Sequence, residues 1–520
     1  PSLLIVALDV VLPYNVAFKL VTVSGILTLP LAAWAFGKLA GLRFPVPVVM
    51  GVATLPFLFD AGFTIYGGNI ASTLAGEFSF SISLSLGFLF LGVYIRGLAS
   101  GRHGALAAVL LAAAGLSHVI PTFYVVAGAL VLTIFAVARH GFDRLRFAIP
   151  VLATGGLLAA FWLVPFVLRV PYMNDMGWEK LVDFREQLLP GSHGVELGSK
   201  WLLILWAAVG TAIAIGRRSQ TGLFLVIMAA ASALAVVHVP QTRLWNARLL
   251  PFWFLTLHLL AGYALGEAAR GGTRALRWLR RRVLPGSDAD TVAVTLERLP
   301  RLLMPPVALL YALLLVGPEL GEIPSWVPVG KGTPPSFVPG WAKWNYEGYQ
   351  RKAAFPEYRD LIATMRVVGE DHGCGRAMWE YEPELDRMGT PMALMLLPHW
   401  TDGCIGSMEG LFFESSASVP FHFLNQSELS ERPSRPQRNL DYTDLDLDRG
   451  IRHLQMFGVR YYMALTDAAK EQARAQPELR LVASSGPWPV SYTENNVPVT
   501  KDRVWEVYLV GNSSVVAPLR

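Results

Sequence analysis

Ten apolar segments, each close to the length of a membrane crossing, follow one another between residues 14 and 320. They cover approximately residues 14–40, 45–62, 78–96, 104–121, 122–138, 147–168, 200–216, 221–240, 249–268 and 302–320. A helix needs about 20 apolar residues to cross roughly 30 Å of hydrocarbon, so a chain that repeats this length is built for lipid rather than water. Composition agrees: 53% of residues are hydrophobic and 16% charged, where soluble proteins carry about 25% charged residues. The expected fold is a polytopic α-helical membrane protein of about ten transmembrane helices, followed by a C-terminal extracytoplasmic α/β domain.

The arginines orient these segments. Lys38 and Arg43 fall in the first connection, Arg96 and Arg102 in the third, and Arg139, Arg144 and Arg146 in the fifth. Arg217 and Arg218 fall in the seventh, and Arg270, Arg274, Arg277 and Arg280 to Arg282 in the ninth. Odd connections are basic and therefore cytoplasmic by the positive-inside rule, and even ones face out. The outer connections are then 63–77, a tight turn near Pro121, 169–199, 241–248 and everything after Glu322. Residues 1–13 lie on the outer side as an interfacial or re-entrant piece, interrupted by Asp9. Loop arginines also account for the pI of 9.1. No basic groove interleaved with aromatics is present, which argues against a nucleic-acid partner. The chain begins at Pro1 with no charged region before its first apolar run, and reads as a fragment that starts mid-protein. Its excess of Arg over Lys and its abundant Ala, Gly and Trp suggest a high-GC bacterial source, hence a bacterial plasma membrane.

Three parts are expected: a helical membrane domain over 1–321, a Pro/Gly-rich linker over 322–340 and an α/β domain over 341–520. In the last, residues 351–372, 447–457 and 468–475 read as helices. Residues 376–381, 394–397, 459–465, 479–483 and 504–510 read as strands. The two cysteines, Cys374 and Cys404, both lie there. Outside the cytoplasm a disulfide is the favoured pairing, and closing a loop of that size stabilises by roughly 3–4 kcal/mol. Two buried free thiols are the other reading, and no second Cys or His pair sits at zinc-ligand spacing.

Chemistry concentrates in residues 66–92, YGGNIASTLAGEFSFSISLSLGFLFLG, a glycine-rich polar loop with one acid, Glu77, running into an apolar segment. Irregular backbone and a carboxylate at membrane depth are tolerated where they line a cavity or a wet site. Glu77 and Asn69 are cavity-lining candidates, and Glu77 could act as a base, bind an acceptor hydroxyl or hold a divalent cation, the one cofactor these residues suggest. Alternatively it complements the dipole of the following helix. His118, in GLSHVIP, lies at the same depth, and His238 is placed similarly in VVHVPQTRLWNAR; each is a cavity-lining candidate or a hydrogen-bonded structural histidine. Arg243 and Arg248 occupy an outer connection against the positive-inside trend. A planar guanidinium suits a lipid phosphate, while a snorkelling interfacial arginine is the bland alternative. Loop 169–199 adds Asp175, Glu179, Asp183, Arg185, Glu186 and His193, with Trp178 as an interfacial anchor; these read as a solvated face. No Walker A loop, dinucleotide fingerprint, HExxH or GxSxG occurs, which leaves an ATP-driven pump or a serine hydrolase without support.

At YGGNIASTLAGEFSFSISLSLG followed by GLSHVIP, the chain resembles a bacterial integral-membrane family labelled 6-pyruvoyl-tetrahydropterin synthase-related, over roughly residues 1–320. The label implies no pterin chemistry, because the histidine triad of the soluble zinc enzyme is lacking. The plan of a helical bundle with a C-terminal outer domain, including GVRYYMAL and VWEVYLV, is similar to GT-C glycosyltransferases. That resemblance implies a polyprenyl-phosphate sugar donor, an envelope glycan acceptor and a catalytic acid in the first outer loop. Such a loop would precede Pro1, with Glu77 the alternative base. Two rival readings stand beside it, a lipid or solute transporter and a non-enzymatic envelope scaffold. Paired broken helices of the inverted-repeat kind are not evident.

Overall fold

The computed structural model describes residues 1–173, 180–189, 197–283, 291–320, 336–409, 419–437, 440–494 and 497–513. It divides into one unit of residues 1–168 and 180–342 and a second of 169–179 and 343–520. Most of the expected linker, together with Asp175, Trp178, Glu179 and His193, lies outside the described residues.

The first unit is helical. A short helix α1 (Ser2–Asp9) precedes α2 (Tyr14–Leu39), α3 (Val46–Leu58), α4 (Phe78–Ser100), α5 (Gly104–Ser117), α6 (Val119–His140) and α7 (Leu145–Arg169). After them come α8 (Leu197–Gly216), α9 (Gln220–His238), α10 (Leu250–Val283) and α11 (Thr291–Leu320). All ten apolar segments coincide with helices. Among the described residues, six helical stretches are long and apolar enough to cross a membrane, while α3, α5 and part of α8 are shorter. This is a multi-pass membrane protein; the expected count of about ten spans goes beyond the six that length and hydropathy single out among the described residues. The break expected near Pro121 falls at His118, whose backbone is extended. Pro121 sits in the first turn of α6, where its missing N–H deprives the helix of nothing.

Helix α4 organises the bundle. Its serines alternate along the sequence, yet at 3.6 residues per turn they split between two faces. Ser81 and Ser85 reach Thr73 and Thr28, each at 2.8 Å. Ser83 points the other way and donates to the carbonyls of Ala114 (2.8 Å) and His118 (3.0 Å). Gly25 lets α2 approach closely, since a Cβ there would stand 2.3 Å from the Ile82 nitrogen. Around this axis lies a core that includes Phe36, Phe57, Phe80, Phe88 and Tyr94.

The connections form separate groups. The α3–α4 loop, the α5–α6 break and the α9–α10 connection meet through Glu77, His118 and Arg248. Elsewhere Arg144 donates to the Leu98 carbonyl at 3.0 Å, joining the third and fifth connections. Arg217 and Arg270 converge on Glu267 in a further group.

The second unit is an α/β domain. It contains α12 (Phe355–His372), β1 (Gly375–Trp379), β2 (Ile405–Ser407), α13 (Val419–Leu429), α14 (Leu447–Met456), β3 (Val459–Ala464) and α15 (Asp467–Ala475). The long hairpin of β4 (Leu479–Glu494) and β5 (Val497–Val510) completes it. Strand order is β2-β1-β3-β5-β4; the first three are mutually parallel, and β3, β5 and β4 pair antiparallel. Residues 394–397, which read as a strand in the sequence, form helical turns, 3₁₀ over Ala393–Leu396 and α over Leu397–Trp400. Pro398 fits that first turn and would interrupt a strand ladder. Cys374 and Cys404 are joined by a disulfide, which ties the entrance of β1 to that of β2.

Candidate functional site

The loop between α3 and α4 is folded by its own side chains. Asn69 is fully buried. Its Nδ2 donates to the carbonyls of Asp60 (2.6 Å) and Phe63 (2.9 Å), and its Oδ1 accepts from the Ser72 amide at 2.8 Å. The amide is thus spent on holding the loop. Gly67 and Gly76 have φ of +110° and +105°, a region open chiefly to glycine. Gly67 also lies under the Phe80 ring, 2.6 Å from where a Cβ would stand, whereas Gly76 has open space. The chain then makes a π-helical turn over Thr73–Glu77 and delivers Glu77 to the head of α4.

Arg248 comes from the opposite side of the sequence. Its connection is fixed by Gln241, which exchanges hydrogen bonds with the Leu181 backbone at 2.7 and 3.1 Å. Asn246 is fully buried and closes the end of α9 by donating to the carbonyls of Val236 (2.9 Å) and Val239 (2.7 Å). Arg248 is therefore held in a 3₁₀ turn directly before α10. Its Nη1 lies 2.6 Å from Glu77 Oε1, with the two side chains 18% and 17% exposed.

His118 completes the group. Its Nδ1 accepts from the Ile120 amide at 3.3 Å, capping α6. That bond leaves the Nε2 proton directed outward, and Nε2 stands 3.8 Å from Glu77 Oε2. The imidazole packs against Phe80, with ring centroids 5.2 Å apart. Phe80 in turn stacks on Phe252. A carboxylate, a guanidinium and an imidazole thus share one partly open, aromatic-walled place.

Of the residues singled out in the sequence, the structure gathers Glu77, His118 and Arg248, with Asn69 beneath them as a loop pin. Arg243, on the same connection as Arg248, and His238, the last residue of α9, are both exposed. Two polar residues near the loop's base escaped the sequence reading. Asp60 starts the loop and accepts from the Gly62 amide at 2.8 Å, and it interacts electrostatically with His258 of α10. A histidine inside the apolar run LTLHLLAG was the available signal.

The carboxylate of Glu77, already paired with a guanidinium, is a poor cation ligand. In the second unit, carboxylate oxygens of Glu380, Glu382 and Glu431 lie within 4.8 Å of one another. Glu380, however, accepts from the Leu465 amide (2.7 Å), the Thr466 amide (2.8 Å) and the Thr466 hydroxyl (2.6 Å). Glu382 is paired with Arg432 at 2.5 Å. The Glu380 oxygens are spent on fastening strand ends and Glu382 is neutralised by a guanidinium, so the cluster reads as structural.

No curated protein matches this chain. Among solved structures, the crystal structure of ArnT from Cupriavidus metallidurans bound to undecaprenyl phosphate is similar at 14% identity and a TM-score of 0.40, covering 96% of this chain and 85% of that one. Residues 1–279 match the family model described as 6-pyruvoyl-tetrahydropterin synthase related domain, membrane protein. That match spans more than half of the sequence and contains the whole Glu77–His118–Arg248 group, so the chain belongs to this family of membrane proteins.

Proposed function

We propose that this protein is an inverting glycosyltransferase of the bacterial cell envelope. It would take a sugar from a polyprenyl-phosphate donor at the outer face of the plasma membrane, with its C-terminal domain on the same side. The observation that carries this reading is the Arg248–Glu77 pair beside His118 at the ends of membrane helices. A guanidinium poised by a carboxylate at a lipid boundary suits an anionic headgroup that arrives from the membrane.

In the proposed reaction the acceptor oxygen bonds to the sugar's anomeric carbon as the bond from that carbon to the phosphate oxygen breaks. The bonding electrons leave with the phosphate, whose charge Arg248 stabilises. As Arg248 turns from Glu77 to the phosphate, the released carboxylate becomes free to accept the acceptor's hydroxyl proton. His118 holds the carboxylate's far side, and Arg243 on the same connection offers a second contact to the lipid phosphate.

The test is sugar transfer from a polyprenyl-phosphate donor by purified full-length protein. Arg248→Ala is expected to lower turnover by at least about 100-fold, the scale of losing one charge-stabilising donor. Full activity in a Glu77→Ala, Arg243→Ala, Arg248→Ala triple variant would overturn the assignment of the site. Substrate flux in proteoliposomes without turnover would assign the rival role of transporter. Absence of both activities would leave the scaffold reading.

A further inference from the structure

A second charged centre lies within the helical unit, separate from the Glu77 group. Glu267 of α10 is buried, and Arg217 and Arg270 both pair with it. Arg301 of α11 lies within electrostatic reach of Arg270, Arg274 and Arg43, and Arg217 within reach of Arg270 and Arg274. Helix α11 packs on both α10 and α3, which brings five guanidinium groups from four parts of the chain into mutual electrostatic reach, two of them on the Glu267 carboxylate. Among the described residues, Glu267 is the carboxylate paired with this group, and it can neutralise one of them. Gathering like charges at a membrane boundary is costly unless an anion enters.

A second observation points the same way. The Nε atoms of Arg270 and Arg301 are buried and make no hydrogen bond. The same stretches of the two helices also expose apolar side chains: Leu276, Trp278 and Leu279 of α10, and Leu302 and Leu303 of α11. Arg282 lies over the Trp278 ring at 4.5 Å, as Lys38 lies over Trp34 at 5.2 Å. Aromatic rings carrying cations in this way mark the headgroup level of a bilayer. An anion meeting both the arginines and the exposed leucines carries acyl chains.

We propose that the arginines around Glu267 bind the phosphate headgroup of an anionic phospholipid, seated between α10 and α11 with its chains along Leu302 and Leu303. The positive-inside rule alone places arginines on this side but asks for no saturable, lipid-selective site. The test is native mass spectrometry of the full-length protein in neutral detergent, titrated with phosphatidylglycerol or phosphatidylcholine.

Phosphatidylglycerol is expected to be retained at one molecule per chain while phosphatidylcholine washes off. An Arg274→Gln, Arg301→Gln double variant is expected to weaken retention by at least about tenfold, as is proper when two basic contacts are lost. Arg43→Gln, at an exposed position, gives a smaller loss in the same direction and covers the case of a double variant that fails to fold. Equal retention of the two lipids overturns the proposal, as does unchanged retention in a folded double variant or in Arg43→Gln. A third arm adds inorganic phosphate alone; thermal protection equal to that given by the lipid overturns the lipid assignment in favour of a free phosphate.

Discussion

Replacing Gly67 by alanine tests whether the polar loop is folded by the contacts described above. Two penalties coincide at this position. The backbone φ of +110° is a strained value for any L-residue, costing about 1–3 kcal/mol. The new Cβ would also stand 2.6 Å from the Phe80 ring, and displacing a packed aromatic costs about another 1–3 kcal/mol. Gly76→Ala separates the two, since its φ of +105° is similar but open space surrounds it. Gly67→Ala should therefore be the less stable of the pair by about 1–3 kcal/mol. Thermal unfolding of both variants in detergent, followed by tryptophan fluorescence, gives the comparison. At about 2–4 °C per kcal/mol for a large domain, the gap is measurable. Because Phe80 packs on His118, Gly67→Ala should also impair activity, and Gly76→Ala much less. Equal melting temperatures for the two variants would refute the packing argument, leaving only backbone strain.

Three further outcomes are expected. Burial pushes the Glu382 carboxyl up to about 7 despite its bond to Arg432. An acid with a raised folded-state pKa holds its proton more tightly when folded, so its contribution is fully present below about 4.5 and is lost as pH rises through about 7. A Glu382→Gln variant should flatten that part of the stability–pH curve of the second unit. A Cys374→Ser, Cys404→Ser double variant opens a loop of sequence separation 30 and should lose about 3–4 kcal/mol, read as a melting transition that no longer responds to reductant. Glu357 is buried and accepts from Arg387 at 2.7 and 3.1 Å and from Trp505 Nε1 at 2.8 Å. Its replacement by alanine strands the part-buried Arg387 cation and leaves the buried Trp505 N–H without its acceptor, and should cost about 3–5 kcal/mol, with a shift in tryptophan emission.

What the sequence revealed follows the range of the forces involved. Membrane-length helices are set by local hydropathy, so all ten apolar segments mark helices, even where α10 continues well past its apolar part. The meeting of Glu77 with Arg248 depends on how distant helices pack, and no local pattern encodes it. Their shared side of the bundle could still be inferred, because arginine asymmetry in the connections is a summed property of the chain. Asn69 reads in the sequence as a cavity-lining candidate and Asn246 as loop polarity, and only the fold reveals each as a clamp on two carbonyls. Strand β2 is three residues long, too short for alternation to mark. Residues 394–397 misled because a short apolar run fits a buried strand and a buried helical turn equally well.

The serines of α4 bear on how such a protein tolerates change. Three polar contacts on two opposed faces fix the rotation of this helix as well as its depth. One residue inserted ahead of Ser81 would turn every later side chain by about 100°, undoing the links to α2 and to the His118 carbonyl together. Helix α4 behaves like a keyed shaft, and Glu77 at its head keeps its bearing only while the key stays seated.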